Sequence, residues 1–468
     1  MIVPDNRLLF WTGFVVLPFS VLGALEPAAA LVSWCAIGTL AVLVLADAAL
    51  TGRSLAGISV QLPPLARMSK DRKTRIEVRI GNESKKAATL RLALGWPREF
   101  HAPVEDLFVQ LPAGTEWSRT YWECLPLKRG QYRLETARVE IRSPLGFWAV
   151  RKVLPAKAEI RVYPNLLFER KNLAALFLHR GAFGLHAQRQ VGKGREFEKL
   201  REYLPGDSFD EIHWKATAKH GRPITKVFQI ERTQEVYVVL DASRLSARAT
   251  NNSTLEKRER GNGPELHAAS GSAIVEPLPS TTALERFVTA TLVLGLAAQQ
   301  QGDLFGLLAF SDKVEKFLRA QNGQAHYGAC REALYALAPR SVSPDFDEVC
   351  SFVRLRLRRR ALVIFLTALD DPVLASSFVR NMDLIRRQHL VVVNMLQTPG
   401  VAPAFSNAEV EFVDDLYEQL GGHLLWQNLR ELEKVLNRRG VRFSLLPDER
   451  LSVELVSQYL NVKRRQAL

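Results

Sequence analysis

The residues best suited to chemistry in this chain gather in one short stretch. Asp207, His213 and Lys215 supply a carboxylate, an imidazole and an amine, the parts from which a proton-transfer site is built. The Pro205-Gly206 and His220-Gly221 pairs around them are turn and helix-end signals, and a capped surface turn uses the same polar residues. The turn is the reading we adopt. Elsewhere the familiar motifs are missing. Gly192-Lys193-Gly194 is too short for a phosphate loop and follows no apolar strand. The chain has no Gly-x-Ser-x-Gly elbow and no His-Glu-x-x-His, and its nine histidines lack metal-ligand spacing. With no nucleophile beside a recognisable base, the sequence predicts a protein that makes and breaks no bonds.

Composition narrows the partners. Sixty-three Lys and Arg against forty-nine Asp and Glu leave a formal charge of +14, an excess that calls for an anionic neighbour. Nucleic acid would require aromatic stacking residues or a known reading fold, and neither is present. The densest basic run, Val353 to Arg360, reads as a helix end feeding a strand at Ala361. Anionic membrane surface and acidic protein faces explain the charge more economically. Cys35, Cys124, Cys330 and Cys350 are scattered with no C-x-x-C pair, which fits reduced thiols and excludes a disulfide scaffold or a cysteine-rich zinc module.

The elements that must position these residues begin with a membrane anchor. Leu8 to Leu25 is an almost unbroken apolar run, Glu26-Pro27 interrupts it, and Ala28 to Leu50 is a second run that stays uncharged until Asp47. Each approaches the roughly 20 residues a helix needs to cross hydrocarbon. Arg7, Arg53, Lys70, Arg72, Lys73 and Arg75 flank the pair while its connection carries no positive residue, so both ends are expected in the cytoplasm. A cleaved signal peptide ending near Ala28-Ala29-Ala30 and a pair of buried core helices are the alternatives. Residues 1–53 are therefore expected to form a two-helix membrane anchor that leaves the rest of the chain in the cytoplasm. From 54 to 165, segments such as Thr74 to Ile80, Ala88 to Leu94, Arg133 to Ile141 and Ala158 to Tyr163 alternate apolar with polar residues, the pattern of a small β-sandwich. Lys70 to Arg75 reads as a solvated strand face or as a contact for anionic lipid heads.

Residues 166–232 form a linker of unusual density. Arg195 to Tyr203 reads as a charge-dense turn, Pro205-Gly206 stops it, and Asp207 caps a short helix running through Ile212 to Lys219. Arg201, Glu202, Tyr203, Gly206, Asp207, Trp214 and Lys215 either knit this linker onto the next domain or dock a partner.

The linker resembles the hallmark of the bacterial proteins classed as domain of unknown function fifty-eight. The resemblance is carried by Glu196, Phe197, Leu200, Arg201, Glu202, Tyr203, Pro205, Gly206, Asp207, Ile212, Trp214, Lys215, Ala216, Thr217, Ala218, Lys226, Phe228 and Glu231. Asp210 stands where the family commonly has Arg, and His213 where it usually has Asp. In that family the hallmark leads into a von Willebrand factor A-like domain. The alternation of strands at Glu235 to Asp241, Asp303 to Phe310, Ala361 to Thr367 and Leu390 to Leu396 with intervening helices predicts a mostly parallel sheet over 233–468. The expected fold is thus an α/β von Willebrand A-like domain with a Rossmann-type parallel sheet, preceded by a β-sandwich and a transmembrane helical hairpin. Residues 244–282, rich in Ser, Asn, Gly and Pro, are expected to be a flexible insertion.

The resemblance also implies an Asp-x-Ser-x-Ser metal site at the end of the first strand, with hard oxygens suited to magnesium. Asp241 and Ser243 fill its first two places, whereas Leu245 and Ala368 stand where Ser and Asp belong; Ser343 or Asp345 would have to replace the distant Thr that assists such a site, and Asp370 would have to reach round for the missing Asp. No cofactor is expected, and magnesium only if that degenerate site is completed. What the resemblance implies for function is a membrane-anchored, non-enzymatic adaptor working with a MoxR-type AAA+ ATPase in assembling or maturing other complexes. A metal-dependent adhesion module without an ATPase is the alternative.

Overall fold

The computed structural model describes the chain apart from residues 52–54, 85–86, 168, 170–190, 206, 230–233, 251–280, 399, 404–405, 407–412 and 466–468. It divides into two units, Met1–Asn165 and Leu166–Leu468. Arg53, Gly206, Glu231 and most of the expected 244–282 insertion lie outside the described residues.

The first unit opens with β1 (Ile2–Pro4) and two helices, α1 (Asn6–Leu25) and α2 (Pro27–Thr51), both long and apolar enough to cross a membrane. Their Leu, Phe, Val and Trp side chains, including Leu9, Phe10, Leu31 and Trp34, stand exposed around the pair. Helices apolar on nearly every face are stable where lipid, not water, surrounds them. Asp47, the one Asp, Glu, Lys, Arg or His within α2, is fully buried. Its carboxylate accepts from Ser143 Oγ at 2.5 Å, from the Leu145 N–H at 3.1 Å and from the Phe147 N–H at 3.2 Å. The Trp148 indole donates to the Val44 carbonyl at 2.9 Å. These bonds fasten the base of the hairpin to the turn between β9 (Gly130–Arg142) and β10 (Trp148–Tyr163).

The rest of this unit is antiparallel β-structure in two sheets. One runs β1, β10, β9, β5 (Ala88–Leu94), β7 (Asp106–Leu111), with β3 (Leu65–Ser69) parallel to the far end of β10. The other runs β2 (Ile58–Gln61), β4 (Thr74–Asn82), β8 (Trp117–Pro126), β6 (Phe100–His101). Alternation decides which side faces in: Ile76, Val78 and Ile80 of β4 meet Leu90 and Leu92 of β5 and Ile160 and Val162 of β10 around Trp122.

The second unit carries a two-stranded ladder, β11 (Val191–Glu202) against β12 (Ile224–Gln229), linked through a short helix α3 (Trp214–His220). A six-stranded sheet follows, with β13 (Glu235–Asp241), β14 (Leu304–Phe310), β15 (Val314–Gln321), β16 (Leu362–Leu366), β17 (Leu390–Leu396) and β18 (Arg442–Leu446) in the order β15-β14-β13-β16-β17-β18. Helices α4 (Ala283–Gln300) and α5 (Gln324–Leu334) cover one face together with the C-terminal α9 (Leu451–Arg465). Helices α6 (Phe346–Arg356), α7 (Pro372–Ile385) and α8 (Val413–Arg438) cover the other. Buried Asp303 ties α9 down: it bonds the Tyr459 hydroxyl and receives Lys463 Nζ at 2.7 Å.

The expected fold class is corrected here. The chain is not built around one Rossmann-type parallel von Willebrand A-like sheet: its first half is rich in antiparallel sheet and its later sheet is mixed. The physical reason lies in Val314–Gln321, which the sequence reading passed over. Only Ser311, Asp312 and Lys313 separate β14 from β15, and so short a link permits only antiparallel pairing, in register Leu308↔Phe317.

Candidate functional site

Residues 200–225 fold from the backbone outward. The β11–β12 ladder runs to its end at Glu202↔Ile224, where the Tyr203 N–H donates to the Pro223 carbonyl at 3.0 Å. Asp207 then closes the turn. One carboxylate oxygen accepts from Arg201 Nη2 at 2.8 Å, the other from the Leu204 N–H at 3.0 Å. The backbone bond from Leu204, helped by the Arg201 charge, holds this carboxyl below the ordinary carboxylate range. Glu202 pairs with Arg222. Asp207 therefore stabilises the turn and is not the cap of the helix, as its sequence position suggested.

The cap is His213. Its Nδ1 accepts from the Ala216 N–H at 3.1 Å, its own N–H donates to the Ile224 carbonyl at 2.7 Å, and Thr217 Oγ1 accepts from the Ile224 N–H at 3.0 Å. His213 thus performs with a ring nitrogen what an Asp does with a carboxylate oxygen, so the departure from the family pattern preserves the cap. Gly221, at φ 67°, ends α3 in the left-handed conformation that a side chain would strain.

While Arg201, Glu202 and Asp207 are paired, large apolar side chains of the turn face water. Phe209 is 73% exposed and Trp214 69%, and Leu200 and Leu204 are exposed as well. Tyr203 stacks under Phe209 with ring centroids 6.1 Å apart. Lys215 is exposed beside Trp214. Of the residues singled out in the sequence, Arg201, Glu202, Tyr203 and Asp207 build the turn, Trp214 and Lys215 stand on its outer side, and Gly206 is outside the described residues. Leu204 and Phe209 were missed. The available signal was an apolar residue set in a run of turn-forming Asp and Ser, with no helical or strand period to carry it inward.

Asp241 and Ser243 meet at the end of β13. Asp241 Oδ1 accepts from the Ser243 N–H at 2.8 Å and Oδ2 from Thr367 Oγ1 at 2.6 Å. Both Asp241 and Ser243 are wholly buried. Burial pushes the Asp241 carboxyl up, and the bonds from Ser243 and Thr367 pull it back in part. Thr367, just beyond β16, was not among the expected partners. The residues expected to substitute are engaged elsewhere. Ser343 Oγ accepts from Arg244 Nε at 3.2 Å, Asp345 caps α6 through the Glu348 N–H at 3.0 Å, and Asp370 is paired with Arg248. Leu245 is packed into the core at the third position. Magnesium does not fit these residues: a buried apolar side chain, Leu245, replaces one hard oxygen, Ala368 another, and the Arg248 guanidinium neutralises Asp370. Among the described residues no group of three or more His, Cys, Asp or Glu could hold a metal.

A family model described as protein of unknown function DUF58 matches residues 199–262 and 279–400, which confirms the resemblance carried by the hallmark and extends it through the central strands. No curated protein matches the chain. Among solved structures, the chain is similar to the conserved hypothetical protein BatB from Bacteroides thetaiotaomicron at 14% identity, covering 50% of this chain and 99% of that one, with a TM-score of 0.27. The CARDB domain of the PF1109 protein from Pyrococcus furiosus shares 14% identity over 22% of this chain and 91% of its own, with a TM-score of 0.16. An uncharacterized membrane spanning protein from Vibrio fischeri shares 13% identity over 49% of this chain and 98% of its own, also with a TM-score of 0.16. Likenesses this distant carry no conclusion about function.

Proposed function

We propose that this chain is a membrane-anchored, non-enzymatic adaptor whose hallmark turn docks another protein. The observation that carries the reading is the exposed group Leu200, Leu204, Phe209 and Trp214 on a turn whose Arg201, Glu202 and Asp207 side chains are engaged in ion pairs of their own. Large apolar side chains held outward on a rigid turn are what protein-binding hot spots are made of. The hairpin tethers the chain, and the positive residues flanking it set both ends, and so the docking turn, in the cytoplasm. The partner is a MoxR-type AAA+ ATPase, a step that rests on the family resemblance, and the role is in assembling or maturing other complexes. Co-purification of the detergent-solubilised tagged chain with such an ATPase tests it. Recovery should fall with Trp214→Ala, and with Arg201→Ala through loss of the turn; undiminished recovery with both removes the docking role.

A further inference from the structure

The basic cluster Lys70 to Arg75 and the base of the hairpin lie at opposite ends of one strand. The hairpin base is fastened at Ser143 to Trp148, beside the start of β10, whereas the cluster hangs from the other end of that strand. The Lys70 N–H donates to the Tyr163 carbonyl and the Asp71 N–H to the Pro126 carbonyl, each at 2.9 Å. Asp71, at φ 54°, is the only described residue other than glycine with a positive φ, and it turns the chain sharply from β3 into β4. Sixteen residues of β10 separate the two ends, about 50 Å at strand rise. Screening at physiological salt acts over about 8 Å, so attachment at the hairpin base does not by itself bring headgroups within range of the cluster.

The turn closes one side of a cavity of about 620 Å³ lined by Arg67, Arg72, Lys73 and Arg75, with Met68 and Thr74 between them. Arg75 is spoken for, since its Nε and Nη2 both reach Glu123 Oε1, at 2.9 and 2.7 Å. Arg67, Arg72 and Lys73 are exposed and make no ion pair among the described residues. Three uncompensated cations therefore converge on one hollow whose floor is the buried Met68 beside Cys124. No aromatic side chain lines it, so it offers bases nothing to stack on. Guanidinium forks around a pinned turn suit carboxylates, which they engage in pairs.

We propose that this hollow is a second docking surface, taking an acidic segment of a partner protein rich in Asp or Glu. The hollow belongs to the first unit, and the proposal does not rest on the apolar turn around Trp214 in the second. The direct probe is a fluorescein-labelled hexaglutamate peptide, titrated against the full chain in nanodiscs of neutral lipid. Binding should weaken about tenfold in Arg67→Glu/Arg72→Glu/Lys73→Glu, and Arg72→Gln alone should weaken it about threefold. The charge-matched control Arg138→Glu/Lys152→Glu/Lys157→Glu, on other exposed strand positions, should leave affinity within about twofold. Equal loss in the control would show that net charge alone binds the peptide and would overturn the proposal. So would tighter binding of oligothymidylate of the same charge, or peptide-independent capture of phosphatidylglycerol vesicles by the same three residues.

Discussion

Two places in the second unit use similar polar residues to opposite ends. At the end of β13 the carboxylate of Asp241 is wholly buried, both its oxygens engaged by Ser243 and Thr367, and the chain over it is sealed by Leu245. At the hallmark turn the carboxylate of Asp207 is likewise engaged on both oxygens, by Arg201 and Leu204, yet the side chains around it point outward. The contrast separates a polar site that holds a domain together from one that holds a surface ready. Full internal satisfaction of polar groups says nothing about function by itself; what the neighbouring apolar groups do with the space decides it.

The sharpest way to break that contrast is to remove each carboxylate. Asp241→Ala should cost about 2–4 kcal/mol, because Thr367 and the Ser243 N–H are left buried without a partner, and urea denaturation of the full chain in detergent reads it. It should leave docking of the ATPase untouched. His213→Ala should cost about 1 kcal/mol by stripping the cap of α3, while His213→Asp keeps an acceptor there and should cost far less; the same denaturation series distinguishes them.

The two carboxylates should also respond oppositely to pH. Asp241 is raised in the folded state, so the folded chain holds more protons than the unfolded chain between the ordinary carboxylate value and the raised one. Its contribution is fullest at low pH and is lost as pH rises through that window. Asp207 is lowered, so its contribution is present above the ordinary value and is lost as pH falls towards the lowered one. Urea midpoints followed across pH should lose the first slope in Asp241→Asn and the second in Asp207→Asn. The smallest effect belongs to magnesium. Millimolar magnesium should leave the melting temperature of the full chain unchanged, and a rise abolished by Asp241→Ala would restore the metal reading.

What could be read ahead of the structure follows from how far each signal reaches along the chain. The hairpin declared itself by run length, and the strands Glu235–Asp241 and Leu390–Leu396 by unbroken apolar runs that only a strand covered on both faces needs. Val314–Gln321 did not, because an edge strand half in water carries Glu, Lys and Arg and pairs on one side only. Arg195 to Tyr203 reads as a turn, although it falls almost wholly within the strand Val191–Glu202, for a related reason: the ladder partner, Ile224–Gln229, lies beyond an intervening helix, so nothing local marks a strand. Asp47 was visible as the charge interrupting an apolar run, but the donors that satisfy it lie about a hundred residues away at Ser143, Leu145 and Phe147. The composition of the hallmark turn identified it. Of its outward face, Phe209 was marked by its place among turn-forming Asp and Ser, whereas the exposure of Leu204 depended on which side chains the ladder left uncovered.

The most direct measurement is the affinity of the full chain in nanodiscs for a purified MoxR-type ATPase, compared with Phe209→Ser/Trp214→Ser. We expect the double variant to bind at least about tenfold more weakly with unaltered urea stability, since both side chains face water in the free chain. Equal affinity in the two proteins would contradict the account and leave the turn a structural joint.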